Sequence, residues 1–207
     1  ISHEYFHTWN VKRLKPIEFA PYDYTRENHT EMLWFFEGFT SYYDDLFLLR
    51  AGLIKPADYL KLLNKPINQV LSTPGRLQQS VAQASHDAWT RYYRPDENTA
   101  NSTVSYYTKG SLVALCLDLS LRTGPARDDG TTPHLDGVMR RLWALQRPIT
   151  ESDVIDALEA ESTEPPAHGA DWASVIHDWV HGVGELPLQT LLAQVGVSST
   201  AKKPSLS

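Results

Sequence analysis

Apolar positions recur every three to four residues through most of the 207-residue chain, the spacing that gathers them on one face of a helix. No run of five or more residues alternates apolar and polar positions between turn formers, so strands are not expected. The pattern predicts a mainly α chain, with helices over about 1–10, 30–50, 56–71, 104–122, 135–146, 151–161, 171–181 and 188–194, and a short one beginning at Thr73-Pro74. Pro56 and Pro74 suit first helical turns, where the missing N–H costs nothing. Thr150-Glu151-Ser152-Asp153 reads as a capping box, and Pro165-Pro166 as a break. The stretch 16–29 is expected to be irregular, and 92–103 an exposed polar loop. Residues 1–195 read as one unit, with 196–207, rich in Ser and Lys, as a linker or tail.

With 42% hydrophobic and 11% aromatic residues the chain can bury a sizeable core. A net charge of −6, with no basic cluster, excludes a nucleic-acid backbone as the expected partner. The longest apolar runs, such as 112–117, fall far short of the roughly 18 residues that a membrane span needs. Cys116 is the single cysteine, so no disulfide can form within the chain. Because the sequence opens on Ile1 inside a predicted helix, it reads as a piece of a longer protein. Compartment and oligomeric state are left open.

Chemistry concentrates in His3-Glu4-Tyr5-Phe6-His7. On a helix this H-E-x-x-H sequence sets two imidazoles one turn apart on one face, with a carboxylate beside the first, an arrangement suited to zinc. Tyr5 and Phe6 point elsewhere and are expected to pack into the core. Glu4, about 100° around the helix from His3, is placed to take a proton from an attacking water and is the expected general base. Two histidines do not complete a catalytic zinc site. Glu37, in Leu33-Trp34-Phe35-Phe36-Glu37-Gly38-Phe39, is the best third ligand, since a carboxylate among so many aromatics is costly to bury unless paired or metal-bound. Asp44, seven residues on, returns to nearly the same face, within reach of a ligand imidazole, although a solvated Asp44 or Asp45 suits the pattern equally well. His177-Asp178-Trp179-Val180-His181 repeats the spacing, but its shorter carboxylate and the glycines that follow fit a structural helix end. Lys12 and Arg13 read as a solvated basic pair.

The segments His3 to Pro16 (HEYFHTWNVKRLKP) and Leu33 to Leu46 (LWFFEGFTSYYDDL) resemble the glycyl aminopeptidase family, the metallopeptidase family numbered sixty-one, and more distantly the aminopeptidase N family. Both are gluzincins. The resemblance implies the helical part of a thermolysin-like zinc peptidase catalytic domain, with His3, His7 and Glu37 as ligands of Zn2+ and a PDZ-like domain following 196–207. The interval between His7 and Glu37 is longer than in aminopeptidase N relatives, and Phe36 stands where they often have Asn. Tyr106-Tyr107-Thr108-Lys109-Gly110 is similar to the Y-x-K-G segment of those relatives, which makes Tyr107 the implied oxyanion donor, while composition alone leaves Tyr106 open.

The expected function is a zinc aminopeptidase acting on peptide or protein substrates, with a preference for N-terminal Gly or Ala that comes from the resemblance alone. A zinc endopeptidase and a non-catalytic helical binding module are the alternatives. For the chain by itself, weak or absent activity is expected.

Overall fold

The run from Leu112 to Leu117 is apolar around the whole circumference of its helix, which places that helix in the interior. The computed structural model describes residues 1–167, 169 and 171–200. In it the run lies within α7 (Tyr106–Thr123), a buried helix at the centre of the fold. Helices α2 (Leu33–Phe36), α3 (Gly38–Arg50), α4 (Pro56–Ser72), α5 (Val81–His86), α8 (Leu135–Ala144) and α11 (Leu188–Gln194) all pack against α7. The short α1 (Ser2–Phe6) packs on α3, α6 (Thr99–Ser102) lies in the exposed loop, and α9 (Glu151–Glu161) packs on α8 and α10 (Trp172–Ile176). Among the described residues there is no strand, only isolated bridges between Asn10 and Leu14 and between Pro16 and Ile149. The mainly α fold is therefore as expected. No helix of the described residues is long and apolar enough to cross a membrane.

Two glycines let the central helices approach. A Cβ on Gly38 would stand 2.5 Å from the backbone carbon of Gly110, and one on Gly110 would stand 2.7 Å from the carbonyl oxygen of Trp34. The expected helix over 30–50 is accordingly two helices, with Glu37 at the junction (φ −95°, ψ −41°) where the chain bends around this contact. The expected helix over 1–10 ends at Phe6; tighter turns follow, Trp9 N–H donating to Phe6 O, and Asn10 is drawn inward. The segment over 171–181 is α-helical only to Ile176 and then widens into a π turn. Helix α5, with a capping box between Ser80 and Gln83, is an element that the apolar pattern did not reveal. The capping box of α9 forms as expected.

Asp118, buried in α7, accepts hydrogen bonds from Tyr42 Oη at 2.6 Å, Leu135 N at 2.7 Å and Arg122 Nε at 2.8 Å, so its charge is compensated. Cys116 is fully buried, and burial alone pushes its thiol far above the ordinary range. His168 and 201–207 of the expected tail lie outside the described residues.

Candidate metal centre

Helix α1 carries His3, and His7, its C-terminal cap, keeps helical dihedrals (φ −62°, ψ −18°) and falls on the same face one turn on. Phe6 anchors that helix, its ring 5.3 Å from Tyr43 and 5.4 Å from Phe47 of α3. The expectation for Tyr5 is corrected: it is 77% exposed. Helix α1 has one packed face, toward α3, and Phe6 occupies it, which leaves Glu4 and Tyr5 toward solvent.

The two imidazoles and Glu37 converge. His3 Nε2 lies 3.1 Å from His7 Nε2, and Glu37 Oε2 lies 3.4 Å from the first and 3.2 Å from the second. A tetrahedron with ligand bonds of about 2.0 Å has edges of about 3.3 Å, so this triangle matches one face of a zinc coordination sphere. Among the described residues it is the one cluster of three metal-ligating side chains found.

Each imidazole is oriented from behind. His3 Nδ1 is 3.1 Å from Asp44 Oδ2, and His7 Nδ1 is 2.8 Å from the carbonyl oxygen of Asn10. A carbonyl oxygen can only accept, so His7 Nδ1 carries its proton and the neutral ring presents a bare Nε2 to the centre. The carboxylate of Asp44 imposes the same tautomer on His3.

The electrostatics fit a cation. Glu37 Oε2 is buried and makes no hydrogen bond of acceptable geometry. The contact with Asp44, then that with Glu37, pushes the His3 imidazolium up to about 9. Glu37 raises His7 against the opposing effect of burial. Burial would raise the Glu37 carboxyl, but His3 and His7 outweigh it and hold the group at about 2. An anionic oxygen facing two imidazole nitrogens is a donor set for a divalent metal, and these residues fit one.

Asn10 is a residue that sequence reasoning passed over. Fully buried, it donates through Nδ2 to Phe36 O and to Thr40 Oγ1, both at 3.2 Å, while its own carbonyl oxygen fixes His7. One residue thus ties the histidine segment to the helices flanking Glu37. The available signal was a polar side chain between Trp9 and Val11, too slight to act on.

Tyr107, partly buried, lies with its ring 6.3 Å from that of His3, packed on Tyr106 at 4.7 Å and Tyr92 at 5.5 Å. Burial and then the charge of Glu37 raise its phenol well above the ordinary value, so it remains a donor. Tyr106 is the more deeply buried of the two, at 1% exposure. Glu4 is exposed beside His3 and makes no ion pair among the described residues. His177 and His181 stack at 6.1 Å, and His181 pairs with Glu151 at 2.8 Å, a partner that the sequence reading did not anticipate. Lys12 and Arg13 are solvent-exposed.

The profile of the M61 glycyl aminopeptidase family matches residues 1–113, which contain all the residues of this centre. The chain belongs to that family. M61 peptidases are metallopeptidases, in keeping with the donor set. The M61 chain is also similar to the crystal structure of an aminopeptidase N family protein from Idiomarina loihiensis, at 41% identity and a TM-score of 0.81. That likeness covers 92% of the M61 chain and 32% of the Idiomarina chain, so the sequence spans about a third of that relative. No curated protein matches.

Proposed function

We propose that residues 1–195 form the helical part of the catalytic domain of a zinc aminopeptidase, in which His3, His7 and Glu37 hold the metal. The observation that carries this reading is the near-equilateral triangle of donor atoms, with edges of 3.1 to 3.4 Å, whose two imidazoles are fixed from behind by Asp44 and Asn10. Held by these three residues, zinc would supply Lewis acidity, the property that lowers the pKa of a bound water to about 7 and polarises a carbonyl oxygen.

The remaining steps belong to the protein. Glu4, one residue from His3 and open to solvent, accepts the proton of the attacking water and delivers it to the leaving amine. The Tyr107 phenol, kept protonated by burial and by Glu37, donates to the carbonyl oxygen as negative charge grows on it. Asp44 and Asn10 hold the imidazoles so that binding a peptide does not turn them. The substrate is a peptide with a free N-terminus. A preference for Gly or Ala at that position rests on family membership.

The test uses the full-length protein. Stoichiometric zinc, loss of peptidase activity on chelation, and a Glu4→Gln variant that keeps its zinc but loses about a hundredfold or more in turnover are the expected results. An unaltered rate in Glu4→Gln removes Glu4 from its role. Equal cleavage of N-acetylated and free peptides makes the enzyme an endopeptidase.

A further inference from the structure

One turn of helix before Glu37, a pocket of about 340 Å³ opens between the irregular segment 19–28 and the π turn Ala88–Tyr92. Its walls are Phe19, Tyr22, Leu33, Ala88, Trp89 and Tyr93. Two polar residues, Asn28 and Ser85, also line it, and both are engaged elsewhere. Asn28 Oδ1 accepts from Asp23 N, and its Nδ2 donates to the carbonyl oxygens of Asp23 and Arg26. Asn28 O accepts from Trp89 Nε1 at 3.1 Å. Ser85 Oγ accepts from Trp34 N and donates to Val81 O. The donors of both side chains are used within the protein, so the pocket offers an occupant mainly apolar and aromatic surface.

Two sets of contacts link the pocket walls to the metal centre. Leu33 lies on α2, and its carbonyl oxygen accepts the N–H of Glu37 at 2.8 Å. Tyr93 meets Tyr92 at 5.5 Å between ring centroids, Tyr92 meets Tyr107 at 5.5 Å, and Tyr107 meets His3 at 6.3 Å. A chain of ring contacts therefore links Tyr93 of the pocket wall to the His3 imidazole. The size points to a bulky group, since a cavity of about 150 Å³ already accommodates benzene.

We propose that this pocket receives an apolar, aromatic-sized side chain of the peptide substrate, beyond its N-terminal residue. The assignment rests on the peptidase reading. A small N-terminal residue such as Gly or Ala leaves a pocket of this size without an occupant, and the next side chains along the peptide have the required bulk. The pocket thus makes the enzyme selective for peptides that pair a small first residue with a large apolar one close behind it.

The experiment compares kcat/KM of the full-length protein for Ala-Ala-Ala, Ala-Phe-Ala, Ala-Ala-Phe and Phe-Ala-Ala. One of the two peptides with an internal or terminal Phe after Ala is expected to exceed Ala-Ala-Ala at least tenfold. Ala88→Phe, which fills the pocket, should remove that advantage and leave Ala-Ala-Ala within about twofold. Trp89→Ala, which takes away an exposed wall, should cut it at least about fivefold and serves where Ala88→Phe does not fold. Equal rates for all Ala-initiated peptides, an advantage confined to Phe-Ala-Ala, or a ratio unmoved in the folded variants overturns the proposal. A second measurement is independent of catalysis: binding of N-acetylphenylalaninamide to the metal-free protein should be at least tenfold tighter than that of N-acetylglycinamide, and lost in the variants. Failure of the peptidase reading leaves no chelator-sensitive cleavage of any peptide, whereas failure of the pocket leaves chelator-sensitive cleavage without selectivity.

Discussion

Replacing Gly38 by alanine tests at once the packing of α3 on α7 and the placing of Glu37. The added Cβ would lie 2.5 Å from the backbone carbon of Gly110, where ordinary contact begins near 3.4 Å. One backbone must therefore retreat by about 0.9 Å, because the neighbour is main chain of a buried helix with no rotamer to change. Alanine gains up to about 1 kcal/mol of helix propensity over glycine in a helix interior, and less at Gly38, which is the first residue of α3. Overpacking of this kind costs about 1–3 kcal/mol, so the steric term wins and a net loss of about 1–2 kcal/mol is expected. The larger consequence is local. Glu37 is the adjacent residue, and if it binds zinc as proposed, where ligand distances hold to within about 0.2 Å, zinc affinity should fall at least about tenfold, or ~1.4 kcal/mol. Urea denaturation of the metal-free chain and zinc competition against a chromophoric chelator measure the two effects. Gly184→Ala is the control, since its Cβ meets nothing within 4 Å, and it should stay within about 0.5 kcal/mol of the parent. A Gly38→Ala protein with the parent's stability and a zinc affinity within twofold of it would refute the reasoning.

Asp44→Asn should weaken zinc binding by about 10–100-fold, because the imidazole of His3 loses the carboxylate that fixes its tautomer; the same chelator titration reads it, and an unchanged affinity means that Asp44 orients nothing. Asp153 accepts from Arg147 at 2.6 Å and caps α9 through Thr150 N at 2.8 Å. Those contacts, with Arg147 contributing most, hold its carboxyl down at about 2 from 3.8. A lowered folded pKa means stability that is present above about pH 4 and lost as pH falls through 2. With Arg147 half exposed the pair is worth about 1 kcal/mol after screening, so Asp153→Ala should lower stability by about 1–2 kcal/mol, cap included, at pH 7 and by little at pH 2. Thermal unfolding across that range checks it, and an equal loss at both pH values contradicts the assignment.

Much of the helical order was legible because capping and amphipathic spacing are local. Helix α9 has the bounds that its capping box and periodicity indicate, and α11 those of its apolar spacing. The same holds for His3 and His7, since an i, i+4 pair meets whenever the segment is helical. Glu37 was singled out by the cost of a carboxylate among aromatics and by the family resemblance, and the structure brings it to the imidazoles. The break at Glu37 was not visible, because it arises where two glycines 72 positions apart touch. Helix α5 was missed because its six residues are too few to display a period.

The sequence by itself determined that the chain is helical, that two imidazoles share a face, and that a carboxylate follows in an apolar setting. These depend on dihedral preferences and on side-chain type within a few residues. Only the tertiary structure decided that Asp44 stands behind His3, that Asn10 bridges His7 to Thr40, that Tyr5 faces solvent, and that an aromatic pocket opens at Leu33, one turn before Glu37. Periodicity tells which residues share a face, but which face meets which neighbour follows from how closely backbones can approach, and that is set by the packing of the whole core around α7.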